Sequence, residues 1–99
     1  MTRPQRLNDA TVAQWVSEHG DWVVEEDRLI ARFAISYNHG IEVLAMVRDN
    51  VDEYDHHPRV TLEYRLLTIE LWTHDQGGIT ELDLALATLF SRAVSAVST

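Results

Sequence analysis

The sequence predicts an α+β fold: a four-stranded antiparallel sheet with helices packed on one face, in the order α-β-β-α-β-β-α. Two observations predict it. Apolar residues recur at helical spacing in three segments and alternate with polar ones in the segments between them. The strands also come in closely spaced pairs joined by short polar turns, which suits hairpins rather than parallel crossover units. At 99 residues the chain fits one domain with one core.

Residues 1–7 hold two arginines, a proline and no apolar periodicity, and read as a loose arm. Asn8 or Asp9 caps a first helix whose apolar face is Val12, Trp15 and Val16, and Gly20 ends it. Residues 22–24 and 29–35 read as two strands, with Glu25-Glu26-Asp27-Arg28 as the turn. Leu29, Ala31, Phe33 and Ile35 share one face at a period of two. Ser36 caps a second helix running to about Asp55, with Ile41, Leu44, Val47, Val51 and Tyr54 at helical spacing. Gly40 inside it costs up to about 1 kcal/mol against alanine. Residues 60–64 and 67–73 alternate again, with a tight turn near Arg65. Gly77-Gly78 breaks the strand, and Thr80 opens a last helix with Asp83 three residues on, a capping box in which aspartate replaces Glu or Gln.

That last helix is apolar around much of its circumference. Besides Leu82, Leu86, Leu89, Ala93 and Val97 it carries Leu84, Ala85, Ala87, Phe90 and Val94. One sheet layer covers one side of a helix, so the pattern predicts a second subunit against the other, a homo-oligomer that is at least a dimer.

Composition removes several functions. There is no cysteine, which excludes disulfides, thiolate catalysis and cysteine-bound zinc. All eight cationic side chains are arginine, so no lysine can form a Schiff base. A net charge of −8 argues against direct nucleic-acid binding, which depends on neutralising phosphate. No apolar run approaches the roughly 20 residues of a membrane span, and the first residues lack the apolar stretch of a signal peptide. The expected setting is the cytoplasm, with no membrane partner.

Chemistry concentrates in residues 52–83, which hold three of the five histidines. His56 falls at or just past the end of the second helix. Pro58 biases His57 toward extended backbone, so the two rings point in different directions. Asp52, four residues before His56, reaches the same face if the last turn is helical. Adjacent histidines, with a third seventeen residues beyond His57, fit zinc-ligand spacing poorly, so the expectation is no metal. His19 and His39 have no motif context and read as surface residues.

The full spacing is Asp52-x3-His56-His57-Pro58-x5-Tyr64-x9-His74-x8-Asp83. It resembles the signature of the pterin-4a-carbinolamine dehydratases, also called 4a-hydroxytetrahydrobiopterin dehydratases. The Thr73-His74-Asp75 step, the Gly77-Gly78-Ile79-Thr80 crossing, Gly20-x-Trp22 and the Phe33-x-Ile35-Ser36-Tyr37 run are similar to the family as well, so the likeness spans the chain.

The resemblance implies the same α+β architecture, a small-molecule pterin substrate, a lyase reaction and no cofactor. In that reaction 4a-hydroxytetrahydropterin loses water and becomes quinonoid dihydropterin. It implies His56 and His74 as the acid/base pair, His57 as a contact to the pterin, and Asp52 orienting His56. Pro58, Thr73, Asp75, Gln76 and Asp83 are the further substrate-binding positions. Helix-mediated dimers, some stacked into tetramers, are the implied assembly.

The chain departs from the family pattern at three places. Arg59-Val60 follows Pro58 where relatives place a large aromatic, Trp72 stands where a small residue is commoner, and Asp52 replaces a longer glutamate. A different use of the same scaffold, a non-enzymatic protein–protein module serving transcription or assembly, needs a surface but not three histidines.

Overall fold

The computed structural model describes residues 4–98. Along the chain run α1 (Asp9–Ser17), β1 (Trp22–Glu25), β2 (Arg28–Phe33), α2 (Tyr37–Tyr54), β3 (Arg59–Glu63), β4 (Leu66–Leu71) and α3 (Glu81–Ser98), with a 3₁₀ turn at His74–Gln76. The expected element order holds. The strands form one antiparallel sheet in the order β1-β2-β4-β3. The second hairpin therefore enters with β4 beside β2, which puts the ends of β3 and β4 that carry the histidines at one end of the sheet.

Alternation in the strands sorts the two faces. Leu29, Ala31 and Phe33 of β2 and Leu67, Ile69 and Leu71 of β4 are buried in one cluster with Val43 and Val47 of α2 and Leu86, Ala87, Phe90 and Ala93 of α3. Trp22 adds its indole to this core and donates Nε1–H to Ser91 Oγ at 2.9 Å. The opposite face carries ion pairs. Glu25 and Arg32 lie 3.1 Å apart, Arg28 and Glu70 also 3.1 Å, and Arg59 stands 3.6 Å from the same Glu70. A face built of long charged side chains can meet water without a helix over it.

Local chemistry sets the ends of the elements. Asn8 accepts the Thr11 N–H at 2.8 Å and Ser36 accepts the His39 N–H at 3.1 Å, so both caps act as expected. The β1–β2 turn has Glu26 and Asp27 at φ 51° and 61° between paired Glu25 and Arg28. A two-residue loop with both residues left-handed is the twist-matched hairpin turn, made here without glycine. Gly40 lies against the Leu62 side chain of β3, and a Cβ there would oblige that leucine to shift.

One expectation changes. The arm over residues 1–7 is tied down where it is described: Leu7 donates its N–H to Ile79 O at 2.8 Å and packs on the core, while Arg6 pairs with Asp27 at 3.1 Å. Residues 1–3 of that arm lie outside the described residues. The last helix is flanked by the sheet and by α2, and Leu84, Leu89, Val94 and Val97 on it stay only partly buried. Phe90 is 1% exposed. The large apolar side chains most open to solvent are elsewhere: Tyr37, Ile41 and Met46 on α2, Val23 and Val24 on β1, and Tyr64. Among the described residues no helix is long and apolar enough to cross a membrane.

Candidate active site

The end of α2 fixes where the two adjacent histidines go. Asp55 takes the left-handed conformation (φ 48°, ψ 47°). The Asp55 N–H reaches Asp52 O at 3.1 Å and the His56 N–H reaches Val51 O at 3.2 Å. This pair of bonds is a Schellman closure, with aspartate where glycine is usual. It reverses the chain so that His56 turns inward, while His57, held extended by Pro58, turns outward. Their side chains are 5% and 64% exposed.

His56 meets a carboxylate from the other side of the site. Its Nε2 lies 2.5 Å from Asp83 Oδ1, in the first turn of α3. The second oxygen, Oδ2, accepts the Thr80 main-chain N–H and the Thr73 hydroxyl, each at 2.9 Å. The two threonine hydroxyls are 2.7 Å apart. Thr73, Thr80 and Asp83 are fully buried. Thr80 to Asp83 is the expected capping box, with the aspartate reaching back to the cap N–H, and its other oxygen is what the site uses. Among the described residues no hydrogen bond is made to His56 Nδ1, and the ring is 5% exposed.

His74 reaches the same place by a different route. Thr73 and Gly78 pair across an isolated bridge, with Thr73 N–H donating to Gly78 O at 2.7 Å. The bridge closes a small loop around the 3₁₀ turn His74–Gln76, and Gly77 at φ 69° supplies the left-handed residue that ends the turn. His74 is exposed and Thr73, the residue before it, is buried on Asp83. His56 is thus anchored to Asp83, His57 follows it in the chain, and His74 follows Thr73, whose hydroxyl bonds the same carboxylate.

Several sequence expectations resolve here. Asp52, assigned to orient His56, stands instead beside His57, with Oδ1 3.9 Å from its Nε2 and 69% exposed. The left-handed turn at Asp55 is the reason, since it swings His56 off the helix face that Asp52 occupies. Asp83, placed among substrate contacts, is sealed from solvent and touches the ring of His56. Thr73 is likewise sealed, its side chain on Asp83 and its main chain bonded to Gly78 and Gln76, which leaves the neighbouring Asp75 exposed and Gln76 half-buried. Thr80 was read only as a cap; its hydroxyl belongs to the buried network. The capping-box spacing was the signal for it.

Tyr64 sits at the β3–β4 turn, 77% exposed. The strand between it and Pro58 spans roughly 17–20 Å, so it lies at the far end of the sheet from the histidines. Trp72 lies under the Arg28 guanidinium, 4.1 Å from the ring centroid, and Arg28 is itself held by Glu70. Among the described residues no three His, Asp or Glu side chains stand close enough to hold a metal ion. A cavity of about 420 Å³ opens elsewhere, between the N-terminal segment, α1 and the β1–β2 turn, and includes none of the three histidines.

Comparison with known proteins places this geometry. The profile of the family described as pterin 4 alpha carbinolamine dehydratase matches residues 5–93. A protein of Thermomicrobium roseum named "Putative pterin-4-alpha-carbinolamine dehydratase" is 35% identical over 83 residues, covering 83% of this chain and 89% of its own. A protein of the same name from Metallosphaera sedula is also 35% identical over 83 residues, covering 83% and 86%. The crystal structure of a transcriptional coactivator/pterin dehydratase from Brucella melitensis superposes with a TM-score of 0.79 over 96% of this chain and all of that one. Its 22% identity makes it a match of fold. With the profile spanning nearly the whole chain and relatives at this identity, the protein belongs to the pterin 4 alpha carbinolamine dehydratase family.

Proposed function

We propose that the protein dehydrates 4a-hydroxytetrahydropterin to quinonoid dihydropterin, the step that follows aromatic amino-acid hydroxylation in tetrahydrobiopterin recycling. The observation that carries the reading is His56 itself. It is a buried imidazole anchored through Nε2 to Asp83, with no described residue bonded to Nδ1. His57 is next to it in the chain, and His74 is next to Thr73, which bonds the same carboxylate. The chemistry asks for such groups. Hydroxide leaves poorly, so the C4a oxygen must gain a proton as the C4a–O bond breaks. N5 must lose one as the C4a=N5 bond forms. No redox change occurs, and water carries the proton and hydroxyl away. Imidazole titrates near the working pH and suits both transfers.

His56 takes the N5 proton on Nδ1, and His74 delivers a proton to the departing oxygen. His57, with Asp52 beside it, holds the pterin, and the main chain at Asp75 and Gln76 meets the ring edge next to Pro58. Replacing His56 or His74 by alanine is expected to lower the dehydration rate about 10²–10⁴-fold, the usual worth of general acid–base catalysis. The assay uses chemically generated carbinolamine and the isolated protein, in buffer with and without EDTA. Near wild-type rates in both variants would remove these roles, and a loss in EDTA restored by zinc would reassign the histidines to a metal.

A second reading has its own observation. Two large apolar side chains one turn apart, Tyr37 and Ile41, are open on one face of α2. They suit a protein contact, first of all with a second copy as a homodimer or homotetramer. A module that works only through such a contact would show no turnover in the same assay.

A further inference from the structure

We propose that Thr73 and Thr80 are positioning residues, which hold the side chain at 83 in one orientation against His56, while the acceptor that this side chain presents to Nε2 sets which nitrogen of His56 is free to act as a base. The inference deepens the reading above and rests on it for its meaning, though not for its test. A carboxylate only accepts hydrogen bonds, so every partner of Asp83 donates. Thr73 spends its one hydroxyl proton on Oδ2, at 2.9 Å. The 2.7 Å contact between the threonines therefore runs one way, from the Thr80 hydroxyl to Thr73 Oγ1. Thr80 Oγ1 in turn accepts the Leu82 N–H at 3.3 Å. With the Thr80 main-chain N–H also on Oδ2, the hydrogen-bond directions from Leu82 to Asp83 are determined throughout.

Two donors thus meet at Oδ2 and one, His56, at Oδ1. The Oδ2 position demands an acceptor. With aspartate, both atoms are oxygen, so Nε2 of His56 carries the proton and Nδ1 presents a lone pair. Asparagine would have to place its oxygen at the Oδ2 position, because an NH₂ there would face the Thr80 N–H. Its NH₂ would then point at His56 Nε2 and make that nitrogen the acceptor. The imidazole proton moves to Nδ1, and the base is lost with the ring still in place.

The experiment reads the tautomer directly, by ¹⁵N–¹H correlation of the His56 ring in the full chain. Wild type is expected to show the Nε2–H form, and Asp83→Asn the Nδ1–H form, with kcat reduced at least 100-fold and KM within about threefold. Thr73→Val is expected to keep the Nε2–H form but lose several-fold in kcat, and Thr73→Ser to restore it. Should Thr73→Val not fold, Thr80→Val asks the same question, because it keeps the main-chain N–H. An Asp83→Asn protein that retains Nε2–H overturns the proposal, as does Thr73→Val at wild-type kcat. A flipped tautomer in a chain that shows no dehydration in any form would leave the proposal standing and remove the dehydratase reading.

Discussion

Glu25 illustrates what a single side chain contributes on the open face of the sheet. Its carboxylate receives both terminal nitrogens of Arg32, and this hydrogen bonding holds it below its ordinary value of 4.5. Because the folded-state value is depressed, the pair's contribution is present above the unfolded value and is lost as pH falls through the folded one. The pair is exposed and water screens it, so the effect is small. Urea titrations from pH 6 to pH 3 should show the acid loss of stability shallower in Glu25→Gln than in wild type; identical slopes would mean that the pair contributes nothing. At this scale the sequence exposed the site residues but not their partners. His56, His57 and His74 stand out by spacing along the chain. Which carboxylate serves which ring depends on a left-handed turn at Asp55 and on the docking of α3 against α2, and neither leaves a mark on neighbouring residues.

Between residues and the whole fold, the β1–β2 hairpin is an element with room to improve. Glu26 and Asp27 both adopt positive φ, which side chains other than Asn, Asp and Gly resist. Glu26→Asn combined with Asp27→Gly supplies the residues this turn prefers and is expected to raise stability by about 1 kcal/mol in chemical denaturation. Unchanged or lower stability would mean that the Arg6–Asp27 pair, lost in the variant, outweighs the backbone gain. The elements themselves were legible because each had a local cause: alternation for the strands, caps at Asn8, Ser36 and Thr80, and Gly77 as a stop. The strand order β1-β2-β4-β3 was not, because it is decided by which hairpin edge buries Leu67, Ile69 and Leu71 against Leu29, Ala31 and Phe33.

For the whole molecule, the apolar count on α3 suggested a subunit interface. The structure divides those residues: Leu86, Phe90 and Ala93 are sealed in the core, whereas Leu84, Leu89, Val94 and Val97 are partly buried. Tyr37 and Ile41, one turn apart on the open face of α2, are where a second copy is expected to bind. Light scattering at micromolar concentration should give at least twice the chain mass of 11.3 kDa. Tyr37→Glu with Ile41→Glu should shift it to monomer, whereas Phe90→Glu, at a core position, should unfold the chain instead. A wild-type monomer, or a dimer indifferent to the α2 changes, would refute the assignment.

Residues that serve chemistry are commonly held at some expense of stability, so replacing them often makes an enzyme sturdier at the price of turnover. Asp83 does not permit that exchange. The carboxylate that orients His56 also closes the first turn of α3 and satisfies a buried hydroxyl, so Asp83→Ala strands three donors at once. Such a loss is on the order of 2–4 kcal/mol. Thermal melts of Asp83→Ala should fall well below wild type, while His57→Ala and His74→Ala, at exposed positions, should melt within a degree or two of it. An inactive lineage of this fold would consequently be free to lose His57 and His74, yet would keep the aspartate, and an aspartate retained at 83 is by itself no testimony to catalysis.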